Sequence, residues 1–162
     1  MTPTEPLALH HSWPIFERGQ RLNLGCVYDC ETLAGSTVVT ADRKTLARHD
    51  IGIWECDLSD NALTWSPEVY DLFALPREAS PSRAVSVGLY CEDSRAAMER
   101  LRAHAIAHRR GFTLDAEIRP AQGGRRWMRL VAAPVCEGRR VLRLHGLKQD
   151  VTREYARGSS RR

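Results

Sequence analysis

Gly52-Ile53-Trp54-Glu55-Cys56-Asp57-Leu58, then Ser59-Asp60-Asn61, then Ala62-Leu63-Thr64-Trp65-Ser66 is the stretch whose reading decides the fold. Two alternating segments flank a polar turn, which is the pattern of a β-hairpin. Upstream, Thr40 is placed to cap a short helix reaching to about residue 49, with Asp42 in its positive first turn. Downstream, Pro67 suits the first turn of a short helix carrying Val69, Tyr70, Leu72 and Phe73, and Pro76 stops it. Ser80-Pro81-Ser82 opens another short turn or helix through Val87. The longest helix is expected over 92–109. Glu92 and Asp93 complement its positive end, Arg109 and Arg110 its negative end, and Gly111 follows as a stop signal. On this helix Ala97, Met98, Leu101, Ala105 and His108 share one face.

Three more strands complete the pattern. Phe112, Leu114, Ala116 and Ile118 alternate with Thr113, Asp115, Glu117 and Arg119, so one face of this strand is buried. Gln122-Gly123-Gly124 turns the chain, a strand runs over 126–136, Glu137-Gly138 breaks it, and a last strand covers 140–149. Met128, Leu130, Leu142 and Leu144 are expected on the inner face. Arg129, Arg143 and His145 are expected opposite, with Asp115 and Glu117 as cross-strand partners for the arginines. Five strands with helices across one face make an α+β domain. The expected division is an N-terminal arm over 1–40, a domain over 41–155 and a flexible basic tail over 156–162. In the arm, Trp13, Ile15 and Phe16 are apolar enough to dock, and Cys26-Val27-Tyr28 can form a short strand.

Composition agrees with one domain. The chain has 162 residues, 43% hydrophobic and 27% charged, which supports a single core and excludes a disordered chain. Of 24 basic residues only Lys44 and Lys148 are lysines, and 20 acids leave a net charge of +4. That is a mixed surface, so nucleic-acid binding is not expected. No segment is apolar enough to span a bilayer and no signal peptide is legible, so a cytoplasmic protein is expected. Five scattered cysteines argue for free thiols, and Cys26 with Cys30 is only half of a metal site, so no metal is expected.

The order of these pieces resembles the PAS domain with a PAC motif, over roughly residues 43–155. Gly52 to Leu58 is similar to that family's opening G-x-W-x-W-D-L strand, and Trp65-Ser66-Pro67-Glu68 through Leu72-Phe73-Ala74-Leu75-Pro76 to its W-S-x-E-x-x-x-L-F-G-L-P segment. Tyr90-Cys91-Glu92-Asp93 stands where H-P-E-D begins the long helix, and Phe112 to Arg119 is loosely similar to F-x-x-E-Y-R. Gly123-Gly124-Arg125-Arg126-Trp127 gives G-x-x-R-W, and Gly146 to Glu154 gives the closing G-x-x-x-D-I-T. The resemblance implies a five-stranded antiparallel PAS sheet with an N-terminal arm. It implies a stand-alone sensor or protein-interaction adaptor in bacterial signalling, acting in trans on a histidine kinase or another two-component protein. It also implies a homodimer. With seven residues after Tyr155 in this sequence, no attached output domain is expected.

Catalysis is not expected: no G-x-S-x-G elbow, P-loop or H-E-x-x-H is present. Ser86 to Asp93 lacks the G-x-N-C-R-F-L-Q run of flavin-binding relatives. Haem is an alternative cofactor, with His104 and His108 one turn apart on the long helix and imidazole a good iron ligand. An unknown small ligand is another alternative. Cys56 stands where the family has an aromatic, so a pocket can open among Trp54, Cys56, Trp65, Tyr70, Phe73, Met98, Leu101, His108, Met128, Leu130 and Leu144, or neighbouring side chains can fill it. On the outer sheet face, Trp127, Val131, Val141 and Leu147 form an apolar patch for a partner or dimer, unless the arm or the helix before Gly52 covers it. Asp150 and Thr152 mark the junction where a signal would leave.

Overall fold

The computed structural model describes residues 8–22, 44 and 46–159, with the side chains of 158 and 159 left undescribed. The proposed Cys26 and Cys30 half-site, the strand at Cys26-Val27-Tyr28 and the Thr40 cap lie outside the described residues. Strand β1 is His10–Pro14, followed by a 3-10 turn Ile15–Glu17 and helix α1, Arg18–Arg21. The hairpin is β2, Ile51–Asp57, and β3, Leu63–Trp65; then come helices α2, Pro67–Phe73, α3, Arg83–Gly88, and α4, Glu92–His108. Strands β4, Arg110–Ile118, β5, Arg126–Glu137, and β6, Arg140–Asp150, lead into helix α5, Thr152–Ser159. No helix among the described residues is long and apolar enough to cross a membrane.

The sheet has six strands in the order β1-β4-β5-β6-β2-β3, with every pair antiparallel. The five expected strands are present, and the sixth comes from the arm. His10 to Pro14 pair with Leu114 to Arg110, so the arm caps what would be an exposed edge of β4. Alternation failed to reveal β1 because it is short and its burial follows no period: only Trp13 is buried. The Trp13 indole N–H donates to Thr113 Oγ1 at 3.1 Å, and the ring lies on Gly111. Phe16, expected to dock, is 84% exposed.

Two cores result, one on each sheet face. The inner one packs Trp54, Cys56, Trp65, Val69, Phe73, Met98, Ala105, Phe112, Leu114, Ile118, Met128, Leu130 and Leu144 between sheet and helices. The outer one packs Trp13, Leu22, Leu46, Ile51, Val131, Ala133 and Leu147. Local signals explain the helix ends. Ser82 Oγ accepts from Val85 N–H at the start of α3, while Ala74 and Arg109 take left-handed conformations at the ends of α2 and α4. Gly111 is therefore not the stop signal. It sits in β4, where a Cβ would meet the Trp13 ring at 2.2 Å. Gly111→Ala is expected to evict Trp13 or strain β4, costing about 1–3 kcal/mol, read as a lower thermal midpoint and earlier protease cutting in the arm.

Residues 152–159 are helical, so the boundary at 155 falls inside α5.

Candidate functional site

Between the sheet and helices α3 and α4 lies a cavity of about 50 Å³. Its apolar lining includes Trp54, Leu63, Val87, Met98, Phe112, Leu130 and Leu144, and its polar lining Cys56, Arg83, Ser86, Tyr90, Arg102 and Lys148. Of the residues expected around a pocket, Trp54, Cys56, Met98, Leu130 and Leu144 meet here. Met128 is fully buried in the inner core, Leu101 packs at its margin, and neither lines the cavity. Trp65, Tyr70 and Phe73 form an aromatic group beside it, Trp65 stacked on Phe73 at 5.4 Å and edge-on to Tyr70 at 5.1 Å. His108 is a correction. The last buried residue of α4 is Ala105, and His108, the last helical residue, is exposed against His104 with ring centres 4.5 Å apart.

This cavity is smaller than the pockets that hold cofactor-sized ligands. Small-molecule pockets occupy roughly 300–1,000 Å³, and His104 and His108, the residues considered for haem iron, are exposed and do not line the cavity. Among the described residues, no group of three His, Cys, Asp or Glu is placed to hold a metal ion.

The residue that sequence reasoning missed is Lys148. It is only 5% exposed, and its Nζ lies 4.9 Å from the centre of the Phe73 ring, 5.4 Å from Trp54 and 5.5 Å from Trp65. Those ring faces attract a cation. Among the described residues no carboxylate forms an ion pair with it. Burial pulls the Lys148 ammonium down to about 7, partly opposed by Cys56, whereas burial pushes the Cys56 thiol up against the pull of Arg102. The signal was available: Lys148 has the parity of Leu144 on β6, so alternation places it inward. Burial also raises Tyr90, fully enclosed at the cavity wall, above the ordinary phenol range.

The outer face holds a second constellation. Asp115 is 1% exposed and accepts two bonds from Arg129, at 2.8 and 2.9 Å, and one from the Tyr155 hydroxyl at 2.6 Å. Arg129 also donates to Glu154 at 3.0 Å. Burial and the Asp115 bond push the Tyr155 phenol up to about 12. Expected as an exposed cross-strand pair, Arg129 and Asp115 instead form a partly buried anchor for α5, with the carboxylate enclosed and the guanidinium at its rim. Trp127 stacks on Tyr155 at 4.2 Å with the planes 11° apart. At the junction, Asp150 Oδ1 accepts from Thr152 N–H at 2.9 Å and from its hydroxyl at 2.6 Å, while Thr152 Oγ1 accepts from Trp127 N–H at 2.9 Å. Asp150 and Thr152 thus tie the start of α5 to β5.

The apolar patch is not open. Val131 and Leu147 lie beneath Trp13, Leu22 and Leu46, so the arm and the segment before Gly52 both cover them, and α5 covers Trp127. Val141 is on the other face. Register shifts between Val135 and Cys136, with Val135 opposite Arg143 and Cys136 opposite Val141, so Leu142 is an extra residue. The bulge reverses the alternation beyond it, which moves Val141 to the inner core and takes Leu142 out of it. His145, expected outward, is on the outer face but buried there, and burial, then Arg18 and Arg143, hold its imidazole down to about 4.

Comparison with known proteins completes the picture. No family model matches the chain. It is 27% identical over 113 residues to the "Probable diguanylate cyclase DgcE" of Escherichia coli K12, which covers 68% of this chain; the chain spans about a tenth of that relative's length. A sensory box histidine kinase/response regulator from Burkholderia thailandensis is similar with a TM-score of 0.64 at 17% identity, over 74% of this chain and 90% of that one. The N-terminal domain of a diguanylate cyclase with a PAS/PAC sensor from Marinobacter aquaeolei gives 0.60 at 16% identity, over 65% and 98%. A PAS domain from Colwellia psychrerythraea gives 0.57 at 15%, over 72% and 99%. With helices α2, α3 and α4 on one face of an antiparallel sheet ordered as described, this chain has the PAS fold.

Proposed function

We propose that the protein is a non-catalytic PAS regulatory module that passes a change in its inner core to a partner signalling enzyme through its outer face and α5. The supporting observation is the Asp115–Arg129–Tyr155–Glu154 network with the Trp127–Tyr155 stack. These join α5 to β4 and β5, the strands whose opposite faces carry Leu114, Met128 and Leu130 in the inner core. A sheet built this way has one face in the interior and the other against a helix, so displacement of a shared strand moves both. Similar folds occur in proteins named as a histidine kinase/response regulator and a diguanylate cyclase, which supports a histidine kinase as the first partner class to test. A homodimer would have to use a surface other than Val131 and Leu147, which the chain itself covers.

Purified protein mixed with the histidine kinases and diguanylate cyclases of its own cell is expected to change the autophosphorylation or cyclase rate of one of them by about fivefold or more. Tyr155→Ala should abolish that change while leaving the inner core folded. A full panel of enzymes with unaltered rates would refute the reading.

A further inference from the structure

The inner cavity carries an imbalance of charge that the partner reading does not use. Three cationic side chains, Lys148, Arg83 and Arg102, line one space of about 50 Å³. Glu99 pairs with Arg83 at 2.5 Å, and Arg102 donates to the neutral side-chain Oδ1 of Asn61 at 3.0 Å. Lys148, nineteen-twentieths buried, lines the same space with only ring faces for counter-charge and no ion pair among the described residues. A buried charge is normally paired or neutralised. Ser86 and Tyr90 add hydroxyl groups to the lining.

We infer that this cavity binds a small monoanion, such as nitrate, formate or bicarbonate, with Lys148 as its principal counter-charge and Arg102 at its edge. Size sets the class: one water needs roughly 10–15 Å³ of such space, so about 50 Å³ accommodates about three to five heavy atoms. Sulfate carries twice the charge and citrate is far too large. The apolar remainder of the lining lowers the local polarity and so strengthens the attraction between Lys148 and a bound anion. The assignment goes beyond the partner reading and can fail or hold independently of it, because its readout is at the lysine and involves no other protein.

The chain has two lysines, Lys44 and Lys148, so ¹³Cε-labelled lysine reports on the site with one control resonance beside it. Lys44→Arg, at an exposed position, assigns the two signals without touching the core. Titration of the full chain at constant ionic strength with sodium nitrate, formate or bicarbonate is expected to shift the Lys148 resonance saturably and leave Lys44 unmoved. Sulfate and citrate should produce no saturable shift. Arg102→Gln should raise the midpoint about tenfold, the loss of one charge-assisted hydrogen bond. The assignment is overturned by a Lys148 resonance that no small anion moves, by equal shifts at both lysines, or by sulfate and citrate acting as strongly as nitrate.

Discussion

Arg129→Met is expected to destabilise the protein by about 3–5 kcal/mol, the cost of stranding a buried carboxylate without its guanidinium. Asp115 is enclosed, and Arg129 supplies two of its three hydrogen bonds from side chains, the third coming from Tyr155. Truncating the arginine leaves a charge facing the sheet and frees Glu154, so α5 loses its anchor as well. The double variant Arg129→Met/Asp115→Leu removes both charges and should recover most of the loss, because an apolar pair of similar volume can replace a buried ion pair. Urea unfolding of the wild type, both single variants and the double variant closes the cycle. A single-variant loss below about 1 kcal/mol, the value of an exposed pair, would show that the network is peripheral. Amide exchange in α5 should rise in Arg129→Met before that in α4, since only the former hangs on the pair.

The second large effect has the opposite sign. Lys148→Met is expected to stabilise the anion-free protein at neutral pH by about 1–4 kcal/mol, as apolar replacements of buried charges do. The gain should depend on pH in one direction. The folded chain holds the Lys148 proton only up to about pH 7, whereas an unhindered lysine holds it to 10.5. Between these values the unfolded state binds more protons, so wild-type stability rises with pH across that window. The advantage of the methionine variant is therefore greatest at and below pH 7 and fades toward pH 10. Thermal midpoints of both proteins at pH 6, 7, 8, 9 and 10 test this. A constant difference across the series would mean that the ammonium is not penalised by its surroundings.

The five-stranded frame was legible because it rests on short-range periods. The sequence of β4 alternates apolar and polar residues, although the arm and α5 bury its outer face as well, and α2 begins at Pro67 and ends before Pro76, as local sterics require. The inner face at Trp54, Met128, Leu130 and Leu144 follows from the same parity. Less could be read wherever a residue's environment depends on a distant partner. Strand β1 has no periodic signature and exists because Trp13 finds a glycine at 111 to lie on. The bulge at Leu142 cannot be seen in alternation, yet it moves Val141 from one face to the other. His108 has the right angular position on α4 and the wrong height, because the helix ends there.

By itself, the order of apolar and polar residues determined the antiparallel sheet, the helices on one face and the fold's family likeness, since each depends on neighbours a few positions apart. Only tertiary structure decided what covers the outer face, how small the cavity is, and that a lysine stands in it facing three aromatic rings. Those outcomes depend on volume and charge contributed by segments up to a hundred residues apart, such as Trp13 and Thr113, and no local period encodes how such segments fill space together.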